Sequence, residues 1–302
     1  AQLALLRRYF LAITDKEAEV RAGSATALHE MRVAARHLEV LLRVFGGQGP
    51  TWAAPSKPRI HGLIKTLGAV RDADVQLAFL DATLQALESA QRTPFEPMRE
   101  QLLEHQGRAR SRLLQALDSP ALQAWRTEWI EHLRDDTPES TPAQQTITAI
   151  VARELVRGEF RKLRKRAREL GRKSSAEDYH EVRIRAKRLR YTLDAFASLY
   201  GDAGQEFMRA LAKLQAVLGE YHDVTVREQR FTELISNASQ LPSSTSFVVG
   251  RLVERDAQAV ARCREKFPKA YRRVHKRRWR ELDGVMKRLA LDAASASGEA
   301  MA

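Results

Sequence analysis

The residues best placed to do chemistry are histidine, arginine and lysine at helical spacing. LHEMRVAARHLEVLLRVF occupies 28–45 and YHEVRIRAKRLRYTLDAF occupies 179–196. With about 100° of rotation per residue, His29, Arg32, Arg36 and Arg43 gather on one side of the first stretch. His180, Arg183, Lys187 and Arg190 do the same in the second. The opposite sides carry Met31, Ala34, Leu38, Leu41, Leu42 and Phe45, and Val182, Leu189, Leu193 and Phe196. Each stretch therefore reads as a helix with a core face and a cationic stripe. A solvated face usually interleaves Glu with Lys four residues apart to gain ion pairs. The stripe from His180 to Arg190 contains no acid, so it carries a repulsion that a bound anion would relieve.

Such a stripe suits oxyanions. The planar fork of arginine takes phosphate oxygens in pairs, and lysine adds compact charge. Histidine donates hydrogen bonds, and a dense anion favours its imidazolium. Other stretches of the second half repeat the pattern. In RELVRGEFRKLRKRARELG, Arg157, Arg161, Arg164 and Arg168 share a face opposite Leu155, Leu163 and Leu170. In FPKAYRRVHKRRWRELDGVMKRL, Lys269, Arg273, Lys276, Arg280 and Lys287 lie opposite Tyr271, Leu282, Val285 and Leu289. The first half has Leu6, Phe10, Ile13 and Glu17 in the places of Arg157, Arg161, Arg164 and Arg168. Binding is expected to be lopsided, with the second half doing most of it.

The charge count agrees. The 302 residues hold 51 Lys and Arg against 38 Asp and Glu, a net charge of +13. Residues 1–150 hold 18 of each sign, which cancel, and residues 151–302 hold 33 and 20. A field that one-sided attracts a polyanion: nucleic acid, an anionic membrane surface or a phosphate polymer.

The elements that must position these stripes come from a repeat. A shift of 151 lays His29 on His180, Glu30 on Glu181, Arg32 on Arg183 and Arg36 on Lys187. It also lays Leu38 on Leu189 and Phe45 on Phe196. Ser24 falls on Ser175, and both are placed to cap their helices, Ser175 through the box SAED. LGAVRDADV at 67–75 falls on LGEYHDVTV at 218–226, and Trp129 meets Trp279 at a shift of 150. The chain reads as an internally duplicated all-α domain over 1–302, with a first repeat at 1–142 and a second, more basic one at 143–302. Each half is expected to hold a long helix, the His-Glu helix, a shorter pair around LG and two further long helices. Breaks are expected at 46–58, 91–94, 135–144 and 237–246, with a frayed tail from 294. SFVVG at 246–250 is the one β-rich pentamer, and it leads into a helical pattern.

A single cysteine, Cys263, rules out an intrachain disulfide and reads as a passive thiol in a reducing compartment. No run of about 18 apolar residues is present, so no membrane-spanning helix is expected. The N-terminus shows no signal-peptide pattern.

HExRVxARxLxxxLRVF at 29–45, answered by HEVRIRAKRLRYTL at 180–193, resembles the signature of the conserved-histidine α-helical domain, or CHAD, family. LGxVRDADV and LGxxHDxxV resemble its secondary motifs, and the likeness covers almost the entire chain. The resemblance implies two four-helix bundles related by a pseudo-twofold axis, with a basic central surface or pore. It implies binding of long-chain inorganic polyphosphate without catalysis, and association with polyphosphate granules in the cytoplasm. Other phosphate or sulfate anions fit the same chemistry. Carried over to this sequence, the likeness implicates His29, Arg32, Arg36, His180, Arg183, Lys187, Arg188 and Arg190. Arg71 and His222, heading RD and HD, are further ligand candidates, with Lys65 and Lys213 weaker ones. His37 and Glu39 stand where the family commonly has arginine. Asp72 and Asp223 read as N-caps of following helices.

Two other classes fit the sequence less well. A phosphate-processing enzyme is disfavoured, because His29, His61, His180 and His222 show no metal-converging spacing and no Walker-type loop is present. EAEVR at 17–21 resembles the acidic strands of triphosphate-tunnel enzymes only faintly and sits on a helical pattern. No cofactor or metal is therefore expected. A nucleic-acid binder is permitted by charge, but no helix-turn-helix, zinc-finger or aromatic stacking pattern supports it. Nucleic acid is expected only as a non-specific competitor. A membrane-surface role is weaker still, since the apolar faces have a core to fill.

Overall fold

The computed structural model describes residues 2–45, 50–85, 87–134, 142–171, 173–237 and 243–299. All regular structure among them is helical. Contacts divide the chain into two compact units, Ala1–Glu139 and Ser140–Ala302.

The first unit runs α1 (Gln2–Thr14), α2 (Glu17–Ala22), α3 (Ala25–Phe45), a 3-10 turn (Thr51–Ser56) and α4 (Lys57–Gln85). It continues through the short α5 (Ser89–Arg92), a 3-10 turn (Thr93–Phe95), α6 (Glu96–Asp118) and α7 (Pro120–Leu133). Helix α3 lies between α1 and α4, and α4 packs against α6. The apolar stripe of α3 is the core face, with Met31, Ala34, Leu38, Leu41, Leu42 and Phe45 all buried. Burying each leucine contributes about 1.5–3 kcal/mol, which fixes the rotation of the helix and so the direction of its cations. Phe10 stacks on Trp129, with ring centroids 5.2 Å apart. Trp129 donates its indole N–H to Ser56 Oγ at 2.8 Å, so the ring is buried without an orphaned donor.

The second unit runs α8 (Pro142–Glu169), α9 (Ala176–Ala195), a 3-10 turn (Ala197–Leu199), α10 (Gly201–Asn237), α11 (Ser243–Arg273), a π-turn (Val274–Arg278) and α12 (Trp279–Glu299). Helix α10 packs against both α9 and α11, and α8 packs against α9 and α12. Val182, Leu189, Leu193 and Phe196 are buried. Phe160 stacks on Trp279 with centroids 3.5 Å apart. Gly201 opens α10 at φ +48°, a left-handed conformation that glycine adopts without a Cβ penalty.

The caps form as the serines suggest. Ser24 Oγ accepts from the Ala27 N–H at 3.2 Å. Ser175 accepts from the Asp178 N–H while Asp178 accepts from the Ser175 N–H, a reciprocal box that satisfies two end donors.

Several local expectations fail. The shorter pair around LG is one continuous helix in each unit, α4 and α10. Asp72 and Asp223 consequently lie inside helices and are not N-caps. A polar residue before an apolar run looks like a helix start, but no break precedes either one. SFVVG falls within α11, where helical context overrides β propensity. The stretch at 91–94 spans α5 and a 3-10 turn, and the tail is helical to Glu299. The helix carrying Lys269 to Lys287 is broken at the π-turn, where Lys276 leaves the helical region (φ −101°, ψ −107°). A single helical projection therefore does not join Arg273 to Arg280. Of the expected breaks at 46–58, 135–144 and 237–246, residues 46–49, 135–141 and 238–242 lie outside the described residues, whereas 142–144 and 243–246 are helical, in α8 and α11. No described helix is long and apolar enough to cross a membrane.

Candidate anion-binding site

Burial of Val182, Leu189 and Leu193 turns the stripe of α9 away from the core and along α10. His180 meets His222 of α10 there, with Nδ1 atoms 3.3 Å apart and ring centroids 4.7 Å apart. Burial first, and then the positive charges of Arg183, His180 and Lys187, push the His222 imidazolium from 6.5 down to about 4. His222 is therefore neutral near pH 7 and able to donate a hydrogen bond without adding charge. His180, Arg183, Lys187 and His222 are half-buried, which leaves their polar ends reachable. One turn further, Arg190 donates to Gln215 Oε1 at 3.2 Å, and Gln215 Nε2 donates to the Ala186 carbonyl at 2.9 Å. Gln215 is a site residue outside the cationic stripes of the sequence. It lies seven positions before His222, on the same face of α10, so the heptad spacing could have found it.

The remaining candidates lie elsewhere. Arg188 is half-buried on α9, about 100° round from Lys187. The α8 arginine that reaches α9 is Arg166, paired with Glu181 at 2.8 Å. Arg157, Arg161 and Arg164 point about 140–180° away from it. Arg157 lies 3.6 Å from Asp283 of α12, and the Arg164 carbonyl accepts from Tyr271 OH at 3.4 Å. Arg157, Arg161 and Arg164 therefore lie on another side of α8 from Arg166, the arginine paired with α9. The projection gives each helix its faces but not its neighbours.

Lys213 lies nine positions before His222, so it points to the opposite side of α10. With Arg273 and Lys276 it lines a groove of about 630 Å³ shared by Glu206, Arg209, Ala210, Arg272, Arg277 and Arg278. Arg280 is exposed on α12.

In the first unit the same stripe is provided with its own acid. Arg36 Nη1 donates to Glu39 Oε2 at 3.3 Å, and His61 Nδ1 lies 2.8 Å from Glu39 Oε1. His37 is buried and stacked on Tyr9, at 4.6 Å between centroids, so it serves the core. Arg32 lies along α4 beside Gly68, where an added Cβ would sit 3.7 Å from Nε. That Nε is buried with no hydrogen-bond partner among the described residues. His29 and Lys65 are exposed, and Arg71 is half-buried. Among the described residues no three His, Cys, Asp or Glu side chains gather as a metal site.

Comparison with known proteins places the chain. It is 29% identical over 283 residues to two uncharacterized proteins of Mycobacterium tuberculosis, MT2285 of strain CDC 1551 / Oshkosh and Rv2226 of strain ATCC 25618 / H37Rv. The match takes in 85% of this chain and 50% of each relative, so the chain spans about half their length. Its fold is similar to the crystal structure of the CHAD domain from the plant Ricinus communis, with a TM-score of 0.66 and 25% identity over 91% of this chain and 90% of that one. PptA from Streptomyces chartreusis shares the fold at a TM-score of 0.65 and 18% identity, over 90% of this chain and 98% of that one. The CHAD domain family model matches residues 4–232, which hold both His-Glu helices and the long helices packed on them, and the chain belongs to that family.

Proposed function

We propose that the chain binds inorganic polyphosphate and performs no chemistry on it. The observation that carries this reading is the gathering of His180, Arg183 and Lys187 on α9 against His222 on α10. A linear polymer with a charge on every phosphate matches that cluster with negative charge repeated along an extended stripe. Arg190 continues the stripe, and Gln215 holds it in line. The first unit contributes fewer contacts, because Glu39 already occupies Arg36. The same reading takes the two units as copies of one ancestral bundle. The shift of 151 between the His-Glu helices supports it, as do the matching Phe10–Trp129 and Phe160–Trp279 stacks at a shift of 150, a register that sets Phe10 against Phe160 and not against Arg161. Recruitment to polyphosphate granules in the cytoplasm is the cellular role that such binding would serve.

The test is a calorimetric titration at several salt concentrations with long-chain polyphosphate and with DNA of equal total charge. Binding should weaken with salt as counterions are released, and polyphosphate should bind more tightly than DNA at each salt. Equal affinities would reduce the site to a general polyanion patch. Phosphate released from the polymer in the presence of a divalent metal would overturn the absence of catalysis.

A further inference from the structure

The groove on the far side of α10 is not part of the histidine cluster. Lys213 and His222 stand on opposite faces of one helix, so no compact ligand touches both. Its lining carboxylate, Glu206, is already engaged by Arg209 and Arg278, and outside the lining Glu281 pairs with Arg277 and Arg278. Lys213, Arg272, Arg273 and Lys276 form no ion pair among the described residues, although Glu206 lines the same groove. Three of the four come from one short segment, the end of α11 and the π-turn. There Lys276 leaves helical geometry, and it lines the groove together with Arg272 and Arg273. Turns of this kind inside helices recur at functional sites. The volume of about 630 Å³ is that of a small-ligand site. Among the lining residues Ala210 alone is apolar, so the space suits a compact anion and not an apolar ligand.

We infer that this groove is a second anion site, which takes a compact, multiply charged phosphate such as tripolyphosphate or a short segment of a longer chain. It deepens the polyphosphate reading by giving the polymer a second foothold in the same unit, without sharing a residue with the first. A chain long enough to engage both sites gains avidity from the raised effective concentration. A chain that reaches only one does not.

Lysine reactivity separates the two sites. Acylation of Lys187, Lys213 and Lys276 by an amine reagent is followed by mass spectrometry with and without tripolyphosphate, whose Kd is measured by calorimetry. The proteins are the full chain, its Arg183→Glu/Lys187→Glu variant and its Arg273→Glu variant, each checked for helicity. At free ligand four times Kd, occupancy slows labelling about fivefold. Lys213 and Lys276 should be protected to that degree in both the full chain and the Arg183→Glu/Lys187→Glu variant. Arg273→Glu should remove their protection while Lys187 stays protected. Protection of Lys187 with unchanged labelling at Lys213 and Lys276 overturns the groove and leaves the first site standing. The converse supports the groove and sinks the histidine cluster, and protection at none of the three refutes both.

Discussion

Replacing His222 with asparagine should flatten the pH dependence of polyphosphate binding. In the free protein, burial and the neighbouring Arg183, His180 and Lys187 hold the His222 imidazolium at about 4. A polyanion seated on the cluster supplies the opposing charge, so the pKa in the complex rises. Between the two values binding takes up a proton, and affinity climbs as pH falls. One proton gives at most a tenfold change per pH unit, about 1.4 kcal/mol. From pH 6.5 to 5 full uptake gives about 2 kcal/mol, or a factor of about 30. Folding responds with the opposite sign. A histidine depressed in the native state binds its proton more readily when unfolded, so stability present above pH 6.5 is lost as pH falls towards 4. For this half-buried ring the loss is no more than about 3 kcal/mol. Calorimetry at pH 6.5, 5.75 and 5, in buffers of different ionisation enthalpy, reads both affinity and protons taken up. The difference in slope between wild type and His222→Asn is the quantity of interest. Parallel slopes in the two proteins would refute the argument.

The two units should answer charge reversal unequally. Arg183→Glu with Lys187→Glu removes two charge-assisted contacts of about 1.5–3 kcal/mol each and should lower the salt slope by roughly two. Arg32→Glu with Arg36→Glu should cost less in the same titration, and equal losses would disprove the lopsided site. Asp72→Ala, in the exposed middle of α4, should leave urea stability unchanged or raise it by about 0.5 kcal/mol through helix propensity; a loss near 1 kcal/mol would mean that Asp72 caps a helix after all. Asp256 is 1% exposed and forks onto Arg227 at 2.7 and 3.0 Å. Asp256→Ala should therefore cost about 3 kcal/mol in urea unfolding, and a loss under about 1 kcal/mol would show that the pair is solvated.

The helical class, the core faces of α3 and α9 and the caps at Ser24 and Ser175 were legible because each is a local rule. Three-and-four spacing places apolar side chains on one face whatever lies beyond it, and burial of Met31, Leu38, Val182 and Leu189 follows that spacing. The pairing of His180 with His222 was legible only as two members of one set of candidates. Their contact depends on α9 packing against α10, which no spacing within either helix specifies. Helix ends misled where a motif resembled a start. RDAD and HDVT each carry an acid ahead of an apolar residue, yet α4 and α10 pass through both, and through Gly68 and Gly219 just before them. The π-turn at Val274–Arg278 left no mark: VHKRR has neither a proline nor a glycine.

The length of α10 turns these failures into a point about mechanism. At 37 residues and about 1.5 Å of rise per residue, the helix is roughly 55 Å long. It offers one edge to α9 and another to α11. A shorter pair of helices could have turned Lys213 towards the same side as His222. A single rod cannot, because nine residues fix a rotation of about 180° between them. The cationic residues of the second unit are therefore held on separate faces by one rigid element, and their mutual repulsion is divided between two places. Each place can then be filled, or emptied by substitution, without reshaping the other. The near-additive free energies expected of sites that share no partners follow from that separation. Non-additive losses of short-phosphate binding in a combined Arg183→Glu/Arg273→Glu variant would show that the two faces of α10 are coupled.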